Sequence, residues 1–153
     1  MGFFRRTAEL LSRNRIIKRD VYVSGGKVPI LVSPDAQLKY LKPGKDSFDR
    51  DLIRIAELIT NDDEFVWDVG ANVGVFSVAA LTANPNCSVL AIEADPWLAD
   101  VLVRTSEFDQ FTGREFMVLP AAASSENGIA EFIIANRGRA SNSLAEYGRR
   151  SQK

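Results

Sequence analysis

From residue 65 to residue 122 the chain repeats one unit: a short apolar run, then a helix-length segment, then another apolar run. "EFVWDVG" reads as a strand, "VGVFSVAALTAN" as a helix, "CSVLAIEA" as a strand, "DPWLADVLVRTSEFDQF" as a helix and "REFMVLPAA" as a strand. The second helix carries its own start signal, Asp95 as cap and Pro96 at the first helical position. Strands separated by helices cannot pair as hairpins, so the unit predicts right-handed crossovers and a parallel sheet in the order 3-2-1. Ligands of such sheets sit beyond the carboxyl ends of the strands. The expected fold class is therefore α/β, partly doubly wound and Rossmann-like.

Upstream of that unit, "DVYVSGGKVPILVS" places two β-prone runs around Gly25-Gly26 and reads as a hairpin. "DSFDRDLIRIAELITN" sets Phe48, Leu52, Ile55 and Ile59 at helical spacing, with Asp46 or Ser47 as cap, and predicts a helix facing the core through those residues. Residues 3–17 have loosely helical apolar spacing among arginines and predict a short amphipathic helix docked on the domain or frayed. Downstream, "GIAEFIIAN" predicts a further, antiparallel strand after a turn at Glu126-Asn127-Gly128. The boundaries expected are a basic N-terminal helix over 1–20, a partial domain over 21–136, and a polar basic tail over 137–153 without periodicity, read as disordered.

Composition removes whole classes of chemistry. The chain has 153 residues, enough for one domain with a core. It contains no histidine and a single cysteine, Cys87, which excludes a Ser-His-Asp triad, a zinc site and an internal disulfide. No metal ligand set is expected. Residues 21–136 hold eight basic against seventeen acidic side chains, a poor surface for a polyphosphate, so nucleic acid is not an expected partner. No apolar run is long enough to span a membrane. The opening "MGFFRRTAEL" lacks the apolar segment of a signal peptide, and Arg6 stands where a myristoylation pattern wants Ser or Thr. The expected compartment is the cytoplasm.

The stretch "FVWDVGANVGVFSV" turns out of its strand halfway along, which raises the question of what the turn holds. A strand ending at Asp68, a turn through Gly70-Ala71-Asn72 and a helix from near Gly74 set a ligand against backbone amides at a helix start. The dinucleotide pattern G-x-G-x-x-G, laid on this turn, falls on Gly70, Asn72 and Val75, so two of its three glycines are missing. An Asn side chain in mid-turn crowds a pyrophosphate but tolerates a small amino-acid group. S-adenosylmethionine carries such a group and no phosphate. Glu93, at the end of the second strand, is placed to accept hydrogen bonds from both hydroxyls of a ribose, and Asp68 to hold the cationic methionyl end. The plainer readings are a turn-forming Asp68 and a Glu93 that supports the next helix.

These residues, "DVGANVGVFSVAA", "VLAIEADPWLADVL", "LPAAASSENGIAEF" and a looser "GRASNSL", resemble the FkbM-type S-adenosylmethionine-dependent methyltransferases over roughly residues 40–145, most specifically in the first element. The resemblance implies a class I methyltransferase fold and methyl transfer to a hydroxyl of a sugar or another small metabolite. It implies that Asp68, Gly70, Ala71, Asn72 and Gly74 form the methionine-side loop and that Glu93 binds ribose. Ala94 and the segment around Ala122 would flank the adenine. The chain departs from the family with Glu93-Ala94 in place of Glu-Pro, with Ser125 about where the family usually has an acidic residue, and without an Asp-x-Glu-Gly segment after Asn136. The expectation is thus an N-terminal portion whose sheet lacks its second half, with weak or no activity alone. The other readings are a noncatalytic interaction module that keeps a nucleoside-binding loop and, less favoured, an NAD-dependent oxidoreductase. Asp49 and the cluster Asp62-Asp63-Glu64 read as a helix cap and a solvated loop, so the catalytic base is unassigned, as are the acceptor and the oligomeric state.

Overall fold

A computed structural model of the chain describes residues 14–60, 65–126, 128–135 and 139, with the backbone of 143–144. Its organising unit is a parallel sheet of β3 (Phe65–Val69), β4 (Ser88–Glu93) and β5 (Phe116–Pro120), with β4 in the middle. The register sets Trp67 beside Leu90 and Leu90 beside Met117, and Asp68 beside Ala91 and Ala91 beside Val118. Helix α2 (Val75–Ala83) joins β3 to β4, and α3 (Pro96–Ser106) with a helical turn at Asp109–Phe111 joins β4 to β5. This is the α/β unit and the 3-2-1 order expected from the alternation of apolar runs.

Both crossovers step the same way across the sheet, so their helices lie on one face. That face is dry: Val66, Val89 and Ala91 are buried, and Ala91 packs with Ala71 and Leu102. The helices are covered in turn by an antiparallel hairpin, β1 (Ile17–Val23) and β2 (Gly26–Val32). Val21, Ile30 and Val32 of the hairpin share a core with Val78, Leu81, Leu98 and Val101. This outer layer explains why α2, "VFSVAALTA", is apolar all round: it is packed on the sheet side and on the hairpin side. Its C-terminal carbonyls are held by Arg114, whose Nη2 donates to Leu81 O at 2.7 Å and Asn84 O at 2.8 Å.

Helix α1 (Arg50–Ile59) corrects two expectations. Asp49, not Asp46 or Ser47, caps it, accepting from the amides of Asp51 and Leu52, while Gly44–Ser47 forms a separate helical turn. The core-facing residues are Ile53 and Ala56, whereas Leu52, Ile55 and Ile59 are exposed. The helix carries two adjacent apolar stripes, and the narrower one, with its small Ala56, lies in the core with α2 and the hairpin. Phe48 lies outside the helix and is buried beside Tyr40, ring centroids 5.6 Å apart.

The other face of the sheet is open. Phe65, Trp67 and Val69 of β3 are 52, 64 and 55% exposed, and Met117 and Leu119 of β5 are exposed on the far side of β4, whose Leu90 is half-buried and Ile92 buried. Both faces of a parallel sheet are ordinarily covered, so this apolar surface is the fold's most unusual feature. The strand expected in "GIAEFIIAN" is short, β6 (Phe132–Ile133), and pairs antiparallel with β7 (Ser143–Leu144) in a sheet of its own. The helix expected over 3–17 falls almost wholly outside the described residues, and Ile17–Asp20 belong to β1. Among the described residues no helix is long and apolar enough to cross a membrane.

Candidate functional site

Three loops leave the carboxyl ends of β3, β4 and β5, and all three are tied to the last two residues of β4. The amides of Gly70 and Ala71 donate to Ile92 O at 2.8 and 3.0 Å, and the amide of Ala121 donates to Glu93 O at 3.1 Å. The Glu93 carboxylate joins the first two loops through its side chain: Oε2 accepts from the Asn72 amide at 2.7 Å, and Oε1 from the Asp95 amide at 2.8 Å. Asp95 in turn caps α3 by accepting from the Trp97 amide at 2.9 Å. Glu93 is buried, so these charge-assisted bonds are shielded from water. The helix-supporting role weighed for Glu93 is therefore real. A carboxylate offers about four acceptor sites, which leaves capacity on both oxygens for a ribose.

The loop itself is built from left-handed residues: Gly70 at φ 79°, Asn72 at φ 55° and Gly74 at φ 84°. Asn is among the few side chains that adopt this region readily. The two glycines have different reasons. A Cβ on Gly70 would meet nothing within 4 Å, whereas one on Gly74 would lie 2.4 Å from Leu102 Cδ2. Gly74 thus supplies the close packing that the dinucleotide pattern assigns to its third glycine, one residue earlier than that pattern. Gly70 leaves open space beside the turn.

Asp68, the residue ahead of the loop, is half-buried. Its Oδ2 accepts from the Ser77 hydroxyl at 2.5 Å and from the Ser77 amide at 3.2 Å. Burial pushes its pKa above the ordinary value, and the Ser77 donors oppose that rise only in part. A cation brought to Asp68 would favour its charged form. Ser77 was missed in the sequence, and the signal for it was a hydroxyl in the first turn of a largely apolar helix.

Five of the eight amides from residue 70 to residue 77 are engaged. Gly70, Ala71, Asn72 and Ser77 donate as described, and Gly74 donates to Ala71 O at 2.8 Å. What the side chains here offer a ligand are acceptors: the Asp68 carboxylate, the Glu93 carboxylate and Asn72 Oδ1. That last atom is buried and has no hydrogen-bond partner among the described residues. Such an atom calls for a donor.

The predicted residues therefore fall together. Asp68, Gly70, Ala71, Asn72 and Gly74 form the turn after β3, Glu93 and Ala94 end β4, and Ala122 lies exposed just after β5. The Ala71 side chain points into the small cluster with Ala91 and Leu102, so Ala71 offers a ligand only backbone. Asp49 is engaged as the α1 cap, and Asp62, Asp63 and Glu64 lie outside the described residues. Two open clefts, of about 680 and 520 Å³, lie on the hairpin side, and no loop residue lines them. The described residues contain no group of three or more His, Cys, Asp or Glu suited to a metal ion. No model of a known protein family matches the chain, and no curated protein does.

Proposed function

We propose that the chain carries the cofactor-binding half of a class I methyltransferase and takes S-adenosylmethionine at the ends of β3 and β4, for methyl transfer to a sugar or small-metabolite hydroxyl. The observation that carries this reading is the inversion of the loop's hydrogen-bonding character. A pyrophosphate needs free N–H donors at the turn, and here those of Gly70, Ala71, Asn72 and Gly74 are engaged within the protein. A ligand with cationic groups and N–H or O–H donors meets Asp68, the partnerless Asn72 Oδ1 and the Glu93 carboxylate. The methionyl ammonium, the sulfonium and the two ribose hydroxyls are such groups.

The residues have separate tasks in this reading. Asn72 Oδ1 and Asp68 receive the methionyl end, Glu93 receives the ribose, and Ala94 and Ala122 flank the base. S-adenosylmethionine supplies the transferable methyl group, and the protein's part is to hold donor and acceptor in line. The test is calorimetry with S-adenosylhomocysteine and, in parallel, NADH. Binding of the first and not the second supports the reading; the reverse restores the dinucleotide alternative.

A second reading, a nucleoside-binding interaction module without catalysis, is favoured by the open apolar face of Phe65, Trp67, Val69, Met117 and Leu119. Binding of S-adenosylhomocysteine without methyl transfer to any hydroxyl acceptor would support it.

A further inference from the structure

Arg139 lies in the stretch whose composition suggested a tail, yet it is the most densely engaged cation among the described residues. Its backbone amide donates to Asp35 O at 3.0 Å, and its Nε to Asp35 Oδ2 at 3.1 Å. Its Nη1 donates to Asp95 Oδ2 at 2.6 Å and its Nη2 to Asn14 Oδ1 at 3.0 Å, while its guanidinium carbon sits 4.5 Å from the centre of the Trp97 ring. All three side-chain nitrogens are engaged. The Asp35 side chain is 8% exposed and that of Asp95 is 0% exposed, so both ion pairs are shielded from solvent. Three segments distant in sequence from Arg139 meet at its planar group, a task for which arginine's rigid fork of donors is suited and lysine's single ammonium is not.

The consequence lies one bond further on. Asp95 uses Oδ1 to cap α3, Oδ2 to meet Arg139, and its amide to hold Glu93 Oε1. Glu93 holds the Asn72 amide with its other oxygen. A continuous chain of contacts therefore runs from Arg139 through Asp95 and Glu93 to the turn after β3.

We propose that Arg139 is a positioning residue for the nucleoside site: by fixing Asp95 it fixes the Glu93 carboxylate and the left-handed turn at Asn72. The proposal rests on the cofactor reading above. Its partner Asp35 serves a different purpose, fastening Arg139 to the turn after β2, where the Asp35 amide donates to Ser33 Oγ at 3.1 Å.

The test uses the full chain with Trp67 replaced by Phe, so that Trp97 is the only indole and its emission reports the stacked guanidinium. R139Q, R139K and D35N are compared by calorimetry with S-adenosylhomocysteine, by melting and by Trp97 emission. R139Q should shift the emission and weaken binding roughly tenfold or more, with R139K intermediate. D35N should lower the melting temperature while leaving affinity within about twofold. If R139Q is unfolded at the titration temperature, R139K carries the comparison. Affinity losses in R139Q, or in R139K where it stands in, and in D35N that simply follow their melting temperatures would reduce Arg139 to a general stabilising contact and overturn the proposal. If the parent protein does not bind S-adenosylhomocysteine, the cofactor reading fails. The positioning claim is then decided by the Asn72 and Asp95 amide resonances, which R139Q, or R139K in its place, must shift and D35N must not.

Discussion

Substituting the two loop glycines separately asks whether the turn is shaped by packing or by a ligand. Both have positive φ, 79° for Gly70 and 84° for Gly74, so an alanine at either position meets a left-handed penalty of about 1–2 kcal/mol. A less flexible unfolded chain offsets that by about 0.4–1 kcal/mol at both positions. These backbone contributions nearly cancel in a comparison. What differs is the new methyl group. At Gly70 it meets nothing within 4 Å, and at Gly74 it lies 2.4 Å from Leu102 Cδ2. Leu102 is fully buried on α3, so it has little room to retreat, and overpacking of this kind costs about 1–3 kcal/mol. Gly74→Ala should therefore be less stable than Gly70→Ala by about 1–3 kcal/mol, read as the difference in urea midpoints at equal slope. Adding Leu102→Ala should remove most of that difference, because the clash is shared between the two residues. For ligand binding the ranking is reversed in cause: Gly70→Ala, although the milder change, should weaken S-adenosylhomocysteine because its methyl group enters the open space beside the turn. Equal stability loss in the two variants, or a Gly74→Ala defect indifferent to Leu102, would refute the packing argument.

Other perturbations act on the acceptors and on the open face. Glu93→Ala removes hydrogen bonds to charge worth about 1.5–3 kcal/mol, so S-adenosylhomocysteine affinity measured by calorimetry should fall roughly tenfold or more; an unchanged dissociation constant would reject the ribose role. Asp68 has its pKa raised above the ordinary 3.8 by burial, so the stability it contributes is complete below that value and is lost as pH rises through its elevated folded value. Asp68→Asn should flatten that decline in urea midpoints measured across the window, and wild-type affinity for a cationic ligand should rise with pH over the same range; parallel profiles would contradict the assignment. Trp67, 64% exposed, contributes little packing. Trp67→Lys should reduce binding of the dye ANS while leaving the unfolding free energy from urea titration within about 0.5 kcal/mol of wild type. A protein that melts cooperatively as a monomer and binds no ANS would contradict the open-face description.

The parallel unit was legible because its signals are local. Apolar runs at β3, β4 and β5 are bounded by turn residues, and Asp95-Pro96 marks the start of α3 without reference to anything distant. The turn after β3 was legible for the same reason, since Gly70, Asn72 and Gly74 are the residue types that a left-handed path selects. The face of α1 was not. Its sequence supports two stripes one residue apart, and the larger side chains of Leu52, Ile55 and Ile59 suggested the one that the fold leaves open. Arg139 was also hidden: its partners Asp35 and Asp95 lie 104 and 44 residues away, and an arginine in the polar run "NRGRASN" gives no local hint of burial. The engagement of the loop amides depends on where Ile92 O and Glu93 Oε2 come to lie, which only the assembled sheet fixes.

The central claim is that the turn between Asp68 and Gly74 presents acceptors to a cationic nucleoside rather than amides to a phosphate. Its most direct measurement is competitive calorimetry on the full chain, titrating S-adenosylhomocysteine in the presence and absence of excess NADH. The account predicts one S-adenosylhomocysteine site, unaffected by NADH and weakened by Asp68→Asn. Binding of NADH that displaces S-adenosylhomocysteine, or S-adenosylhomocysteine binding indifferent to Asp68→Asn, would contradict it.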